Sequence, residues 1–130
     1  MEKKPGMNEN KPTIRRPILV HGGMIERGEQ KGRALGFPTA NLTFKGLEIS
    51  GTYAGRVIIG GGIFKAAIYA NPKRNLLEAH LLDINQDLYG KRMVVQLFEK
   101  ISDEHDFTDR ESLKTFISES VGKVRDYFKI

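Results

Sequence analysis

Residues 52–70, TYAGRVIIGGGIFKAAIYA, hold two runs of strand-forming residues around three consecutive glycines. The runs at 52–59 and 63–70 are rich in β-branched and aromatic side chains, which favour extended backbone. Gly60, Gly61 and Gly62 supply the backbone freedom that a tight turn requires. The stretch therefore predicts an antiparallel β-hairpin.

Four further runs with strand character flank this hairpin, at residues 18–25, 39–44, 76–84 and 92–101. Towards the C-terminus the apolar residues recur at steps of three and four, which indicates a helix. Its apolar stripe consists of Leu113, Phe116, Ile117, Val121, Val124 and Phe128. Thr108 and Glu111 have the spacing of a capping box at its start. We expect a mainly β fold, an antiparallel barrel of six strands with a C-terminal α-helix packed outside.

Length and composition indicate one domain of a soluble protein. The chain has 130 residues, 39% of them hydrophobic and 28% charged. It has no cysteine, which excludes disulfides and thiolate metal sites. No apolar run is long enough to span a bilayer, so we expect a cytoplasmic protein without membrane contact.

The formal net charge of +5 is unevenly distributed. Residues 1–16 hold five Lys or Arg against two Glu, and we expect them to form a disordered basic leader. Residues 17–130 form the expected folded domain. An RNA-binding barrel is an alternative that rests on charge alone, because no run of aromatic residues alternates with Arg or Lys. We therefore expect no nucleic-acid partner.

A glycine-rich basic loop at residues 26–36 leads into the run at 39–44. It has no Walker-type Gly-Lys-Ser/Thr sequence, so a nucleotide site here needs another design. Thr39 and Asn41 alternate around Ala40, so their oxygens lie on one face of an extended chain and could meet phosphate or a hard cation. A polar turn before a strand and a solvated basic loop are the simpler interpretations of these residues.

Glu78 lies inside an apolar run, where a carboxylate is costly unless it is paired or used. Alternation places it with Leu76, His80 and Leu82, opposite Leu77, Ala79 and Leu81. Since both faces carry apolar residues, an outward-facing Glu on a half-exposed strand remains an alternative to a catalytic role. His21, His80 and His105 have neither metal-ligand nor triad spacing, and we interpret them as structural.

The chain resembles the riboflavin kinase (flavokinase) family, which also forms the C-terminal half of bacterial bifunctional FAD synthetases. The resemblance covers roughly residues 18–128, with blocks in the family's order. These blocks are GFPTANL at 36–42, GTYA at 51–54, LEAHLLD at 77–83, DLYGK at 87–91, and Phe107 followed by the helix. The resemblance implies a six-stranded antiparallel Greek-key barrel with a C-terminal helix.

The resemblance also implies a reaction and its residues. A riboflavin kinase transfers the γ-phosphoryl of ATP, or another nucleoside triphosphate, to the 5′-hydroxyl of riboflavin, giving FMN. Thr39 and Asn41 match the family's contacts to Mg²⁺ and phosphate, and Glu78 matches its general base. The remaining implied ligand contacts are Gly28, Gly32, Arg33, Gly36 and Pro38 for the nucleotide, with Phe107 and the segment from Asp103 near the flavin.

Two departures from the family's usual pattern lie on the expected flavin side. The segment at residues 69–75 is short, and Ser102 stands where many relatives carry Arg. A non-catalytic flavin- or nucleotide-binding regulatory module is therefore the alternative function. We expect a monomer, and a chain that stops at FMN because no adenylyltransferase domain precedes the barrel.

Overall fold

The computed structural model describes residues 15–26, 39–46, 48–84, 88–104, 107 and 109–129. It contains six β-strands and one α-helix in these residues. The strands are β1 (Leu19–Met24), β2 (Thr39–Thr43), β3 (Gly51–Ile59), β4 (Gly62–Asn71), β5 (Leu76–Leu81) and β6 (Arg92–Ser102), and the helix is α1 (Arg110–Tyr127).

All six strands form one antiparallel sheet in the order β1-β6-β3-β4-β5-β2. The sheet curls until its two edge strands approach each other. There the N–H of Glu26 donates a 2.8 Å hydrogen bond to the carbonyl of Asn41. Within this order β6-β3-β4-β5 is a Greek key, since β6 returns beside β3 after a three-strand meander. The mainly β fold with six antiparallel strands and one C-terminal helix is confirmed.

The hairpin between β3 and β4 has the predicted turn. Ile59 pairs with Gly62, so Gly60 and Gly61 form a two-residue loop. Gly60 has φ +59°, a left-handed conformation that costs glycine little. A turn this short fixes the pairing of every residue along both strands.

Gly55 lies beside an irregularity in the pairing of β3 with β6. A Cβ there would overlap the Ile68 side chain and lie 2.7 Å from the carbonyl oxygen of Gln96. We expect Gly55→Ala to lower the free energy of unfolding by about 1–3 kcal/mol, because the β-sheet backbone must shift. Urea unfolding measures this loss. Gly61→Ala is the control, since nothing lies within 4 Å of its Cβ; equal effects of the two substitutions would contradict the explanation.

The sheet carries apolar side chains on both faces, and these form two separate cores. The barrel interior holds Leu77, Ala79 and Leu81 of β5 together with residues from the other strands. The outer core lies between the sheet and α1 and includes Ala54 and Ala67. Their small side chains let the helix approach β3 and β4 closely.

Strand β5 is shorter than predicted. It ends at Leu81 rather than at residue 84, because Asp83 turns the backbone with φ +62°. The Asp83 carboxylate accepts two hydrogen bonds from Arg125 near the end of α1, at 3.1 and 3.3 Å. These bonds keep the pKa of Asp83 below its usual value, and they attach the end of β5 to the helix.

Helix α1 is capped by Asp109, not by the predicted pair of Thr108 and Glu111. The Asp109 carboxylate accepts hydrogen bonds from the N–H of Ser112 at 2.7 Å and from its hydroxyl at 2.9 Å. These bonds lower the pKa of Asp109. Thr108 lies outside the described residues. Asp caps helices at least as well as Thr, so the cap sits one residue later than the sequence pattern indicated.

The predicted apolar stripe of α1 is confirmed, with Ile117, Val121 and Val124 buried against the sheet. Arg15, assigned to the leader in the sequence, donates a 2.6 Å hydrogen bond to the carbonyl of Tyr127. Across the described residues, no helix combines the length and apolar character needed to cross a membrane.

Candidate active site

A row of polar residues crosses five strands of the sheet. Asn41 of β2 pairs with Glu78 of β5, Glu78 pairs with Tyr69 of β4, and Tyr69 pairs with Thr52 of β3. Ser102, at the end of β6, pairs with Thr52. Paired residues point to the same side of a sheet and their Cβ atoms lie about 5 Å apart. From Asn41 to Thr52 the polar row therefore forms one continuous strip, and Ser102 adjoins Thr52 where the pairing of β3 with β6 is irregular.

The polar row lies on the outer face of the sheet, next to the layer that α1 covers. Leu77 and Ala79, on either side of Glu78, point into the barrel interior. Glu78 itself is half-buried, and it interacts with other groups of the protein. The alternation in this strand thus separates the barrel interior from the outer face: Leu77, Ala79 and Leu81 belong to the interior core, whereas Leu82 belongs to the outer core.

Three nearly buried side chains on this face carry polar atoms without a hydrogen-bond partner in the described part of the chain. They are Oδ1 of Asn41, Oγ1 of Thr52 and Nδ1 of His80. Asn41 and Thr52 are each 2% exposed and His80 is 8% exposed. Leaving such an atom unpaired costs about 1–3 kcal/mol. Two of the three residues, Asn41 and His80, adjoin Glu78 in the sheet, so this part of the outer face is the candidate ligand site.

His80 lies on β5 two residues after Glu78, on the same face, and it pairs with Thr39 of β2 and Ala67 of β4. Burial lowers the pKa of His80 from 6.5 to about 4, so its imidazole is neutral at physiological pH. His21 has a structural contact, because its Nε2 donates to the carbonyl of Thr43 at 2.9 Å and ties β1 to β2. His105 lies outside the described residues.

The low pKa of His80 makes folding sensitive to acid. The unfolded chain takes up a proton near pH 6.5 and the native protein only near pH 4, so stability is lost as the pH falls between these values. We expect a loss of roughly 2 kcal/mol at pH 5 compared with pH 7.5. Urea unfolding of wild type and His80→Gln isolates this contribution from the carboxylates. The difference in free energy of unfolding between wild type and His80→Gln should shrink as the pH falls. A difference that stays constant with pH would contradict the explanation.

Thr39 and Asn41 lie on the same face of β2, as their alternation predicted, and both adjoin β5. Among the described residues, no three His, Cys, Asp or Glu side chains form a metal-binding cluster. On β2 the side-chain oxygens nearest to Glu78 in the pairing are those of Asn41, opposite Glu78, and Thr39, opposite His80. Amide and hydroxyl oxygens are hard donors that suit Mg²⁺, and the unpartnered Oδ1 of Asn41 fits such a ligand.

Phe107 follows β6 and packs on Phe116 of α1, with ring centroids 4.9 Å apart and planes tilted by 44°. The two rings form an aromatic pair near the start of the helix. Phe116 was predicted only as part of the apolar stripe. Of the other candidate ligand residues, Gly28, Gly32, Arg33, Gly36 and Pro38 lie outside the described residues, so their roles stay predictions.

Sequence reasoning missed the polar row as a unit. Tyr69 and Thr52 were treated as ordinary strand residues, and Ser102 was noted only for replacing an Arg. The pairing of Thr52 with Tyr69 follows from the two-residue turn at Gly60 and Gly61, so a register count along the hairpin would have found it.

Comparison with known proteins assigns the chain to a family. The riboflavin kinase family model matches residues 15–128. A bifunctional riboflavin kinase/FMN adenylyltransferase from Buchnera aphidicola subsp. Schizaphis graminum is 33% identical over 138 aligned positions, covering 94% of this chain and 44% of that protein. The protein of the same name from Escherichia coli K12 is 35% identical over 123 positions, covering 86% of this chain and 38% of its own length.

A solved structure supports the fold independently. The chain superposes on a crystal structure described as a macrolide-efflux protein from Streptococcus pneumoniae with a TM-score of 0.70 and 26% identity, covering 84% of this chain and 38% of that one. The chain spans less than half the length of the relatives it matches. Since the family model covers nearly all of the described structure, the chain belongs to the riboflavin kinase family.

Proposed function

We propose that this chain is a riboflavin kinase that transfers the γ-phosphoryl of ATP to the 5′-hydroxyl of riboflavin. The observation that carries the proposal is the direct pairing of Asn41 with Glu78 on the outer face of β2 and β5. This pairing puts the Cβ atom of a residue with an oxygen ligand for the phosphates about 5 Å from the Cβ atom of a residue whose carboxylate can take a proton. Family membership and the names of the relatives support the same reaction.

Glu78 acts as the general base. Its carboxylate accepts the proton of the 5′-hydroxyl as that oxygen bonds to the γ-phosphorus. The bond from the γ-phosphorus to the β–γ bridging oxygen breaks, and ADP leaves. Phosphoryl transfer depends chiefly on the positioning of the reactants and on charge neutralisation. The protein therefore needs to supply only one base and well-placed ligands.

The side-chain oxygens of Thr39 and Asn41 would hold Mg²⁺ at the nucleotide. When bound, the cation neutralises charge on the β- and γ-phosphates. The side-chain oxygen of Asn41 then gains the partner that it otherwise lacks. Gly28, Gly32, Arg33, Gly36 and Pro38 belong to the loop that enters β2, and we assign them to the nucleotide.

The donor and the acceptor approach Glu78 from opposite sides. Asn41 lies on the β2 side, while Tyr69 and Thr52 continue the polar row on the β4 side. In-line transfer requires the attacking and leaving oxygens on opposite sides of the phosphorus. The nucleotide therefore lies over β2 and the flavin over β4 and β3, towards Phe107.

An activity assay tests the proposed function directly. The protein is incubated with riboflavin, Mg²⁺ and either ATP or CTP, and the flavins are separated by chromatography. FMN formation that depends on both the triphosphate and Mg²⁺ is expected. Tight flavin binding with no FMN from either donor would instead identify the regulatory module, and absence of both binding and turnover would reject the family's activity for this chain.

We further propose that the protein is a cytoplasmic monomer that binds small molecules and no nucleic acid. The hydrogen bond between Glu26 and Asn41 brings the two edge strands together, which limits pairing with another chain. The net charge of the expected folded domain is only +2, which is small for a nucleic-acid surface. Sedimentation tests the monomer, and electrophoretic retardation with a generic RNA at low salt tests the absence of binding.

A further inference from the structure

Helix α1 covers only part of the outer face of the sheet. It packs on Ala54 of β3 and Ala67 of β4, whereas Ile58 and Ile63 lie four residues further along these strands and outside that core. Within the described part of the chain, three of the five exposed large hydrophobic side chains project from this uncovered part, at 52% to 62% exposure. They are Val20, Met24 and Ile63. Exposed apolar side chains gathered on one face are typical of an interaction surface.

Strand pairing arranges the uncovered part as a row of apolar residues. Since Leu19 and Phe64 pack with the barrel interior, their neighbours Val20 and Ile63 point to the outer face. The row crosses β1, β6, β3 and β4 and consists of Gly22, Val94, Ile58 and Ile63. It is about 14 Å long for strands spaced about 4.8 Å apart. We call it the apolar row.

Cationic side chains flank the apolar row on both sides. Arg92 lies two residues before Val94 on one side, and Arg56 and Lys65, which pair with each other, lie on the other. Residues two apart along a strand are about 7 Å apart. None of the positions in the apolar row or in the two flanking rows is Asp or Glu. The surface is therefore apolar along its middle and positive on both flanks.

The nearby acidic group does not cancel this charge. Asp83 interacts electrostatically with Lys65, but its carboxylate accepts hydrogen bonds from Arg125. Arg56 also has a fixed position, because its guanidinium lies 4.8 Å from the centre of the Phe98 ring. An anionic partner would thus meet a positive group on either side of the apolar row.

An acidic amphipathic helix has the complementary arrangement. Its apolar stripe matches the apolar row, and carboxylates on both sides of that stripe match the flanking cations. A length of about 14 Å accommodates about nine helical residues at a rise of 1.5 Å. An extended segment lying flat on the sheet fits less well, because its backbone N–H and C=O groups would lack partners.

We propose that this face binds a short acidic amphipathic helix of a partner protein, which lies beside α1. The four residues from Ala54 to Ile58 correspond to about 13 Å, whereas the axes of packed helices are about 8–10 Å apart, so both helices fit on the sheet. A second copy of this chain fits less well, because like charges would face each other. A lipid surface also fits less well, because the row has no Trp or Tyr for the membrane interface.

The probe is a fluorescein-labelled helical peptide held by a lactam bridge. It carries leucine at i, i+3, i+4 and i+7 and glutamate on both sides of this stripe, and a second peptide carries lysine in place of each glutamate. Fluorescence anisotropy gives both dissociation constants. We expect the wild-type protein to bind the glutamate peptide at least about tenfold more tightly at low salt, with a difference that shrinks as salt screens the charges.

Three substitutions locate the binding surface. Ile63→Ala should weaken binding of the glutamate peptide about five- to tenfold by removing apolar contact, with little change in Tm because Ile63 is exposed. Lys65→Glu should weaken binding of the glutamate peptide and strengthen binding of the lysine peptide. Lys114→Glu makes the same charge change on the exposed face of α1, away from the apolar row, and should leave both constants unchanged.

Each remaining outcome contradicts the proposal. Equal affinity for the two peptides, or affinity for the glutamate peptide that neither Ile63→Ala nor Lys65→Glu alters, shows that this face does not select an acidic helix. Binding to phosphatidylglycerol vesicles that Ile63→Ala abolishes, without peptide binding, identifies a lipid surface instead. Dimerisation in sedimentation that Ile63→Ala abolishes identifies a second copy.

Discussion

Replacing Glu78 with glutamine is expected to lower kcat for FMN formation by roughly 10²- to 10⁴-fold, the usual contribution of a general base. Glutamine has nearly the same shape but cannot accept the proton of the 5′-hydroxyl. Since Glu78 contributes to chemistry rather than to nucleotide binding, the KM for ATP should change little. Rates at saturating riboflavin and ATP, measured by chromatography of FMN, give this comparison.

Glu119→Gln is the matched control, because Glu119 is exposed on α1, away from the polar row. It should retain wild-type kcat. Riboflavin binding by Glu78→Gln, followed by fluorescence quenching, shows whether the site is still folded. Turnover within twofold of wild type in Glu78→Gln would remove Glu78 from the role of base.

Replacing Asn41 with leucine is expected to lower kcat/KM for ATP by about 10²-fold. The substitution removes the side-chain oxygen proposed to bind Mg²⁺ and leaves an apolar group of similar size. Because Oδ1 of Asn41 has no hydrogen-bond partner among the described residues, its loss alone should cost the fold little. Calorimetry with Mg²⁺ and a non-hydrolysable ATP analogue should show weaker binding, while riboflavin affinity is retained.

Asn41→Asp keeps a hard oxygen at this place and should retain more activity than Asn41→Leu, with an altered dependence on Mg²⁺ concentration. Thr43→Val, two residues further along β2, removes a hydroxyl that donates to Glu26 at 2.6 Å but no proposed ligand. It should keep the wild-type KM for ATP. Equal Mg²⁺ dependence in wild type, Asn41→Asp and Asn41→Leu would contradict the metal-binding role.

Much of the fold follows from local sequence signals. The hairpin turn at Gly60 and Gly61, the six strand-forming runs and the stripe of α1 each depend on residues close together in the chain. The sequence left open the orientation of Glu78, because Leu82 on its own face and Leu81 on the other are both buried, in different cores. When both faces of a sheet are covered, apolar residues occupy both faces. The alternation of apolar and polar residues then no longer shows which face is the barrel interior.

The site was predictable only in part, because it depends on pairing between strands that are distant in the chain. Local pattern singles out Thr39, Asn41 and Glu78, but their roles come from the family resemblance. Their pairing across β2 and β5 is a long-range feature. Ser102 joins the polar row only because β6 lies beside β3, which no local pattern indicates. The helix cap was predicted one residue too early, because the capping-box spacing of Thr108 and Glu111 does not reveal the contact of Asp109 with Ser112.

The hydrogen bond from Glu26 to the carbonyl of Asn41 has a consequence for how this domain can diversify. Glu26 and Thr39 are the described residues on either side of residues 27–38, and this bond joins Glu26 to Asn41, two residues along β2 from Thr39. Because Glu26 is bonded to the same strand that the chain re-enters at Thr39, changes in the length or composition of residues 27–38 need not move Asn41 or Glu78. If residues 27–38 hold the nucleotide contacts that the sequence predicts, donor preference can change there while the pairing of Asn41 with Glu78 is kept.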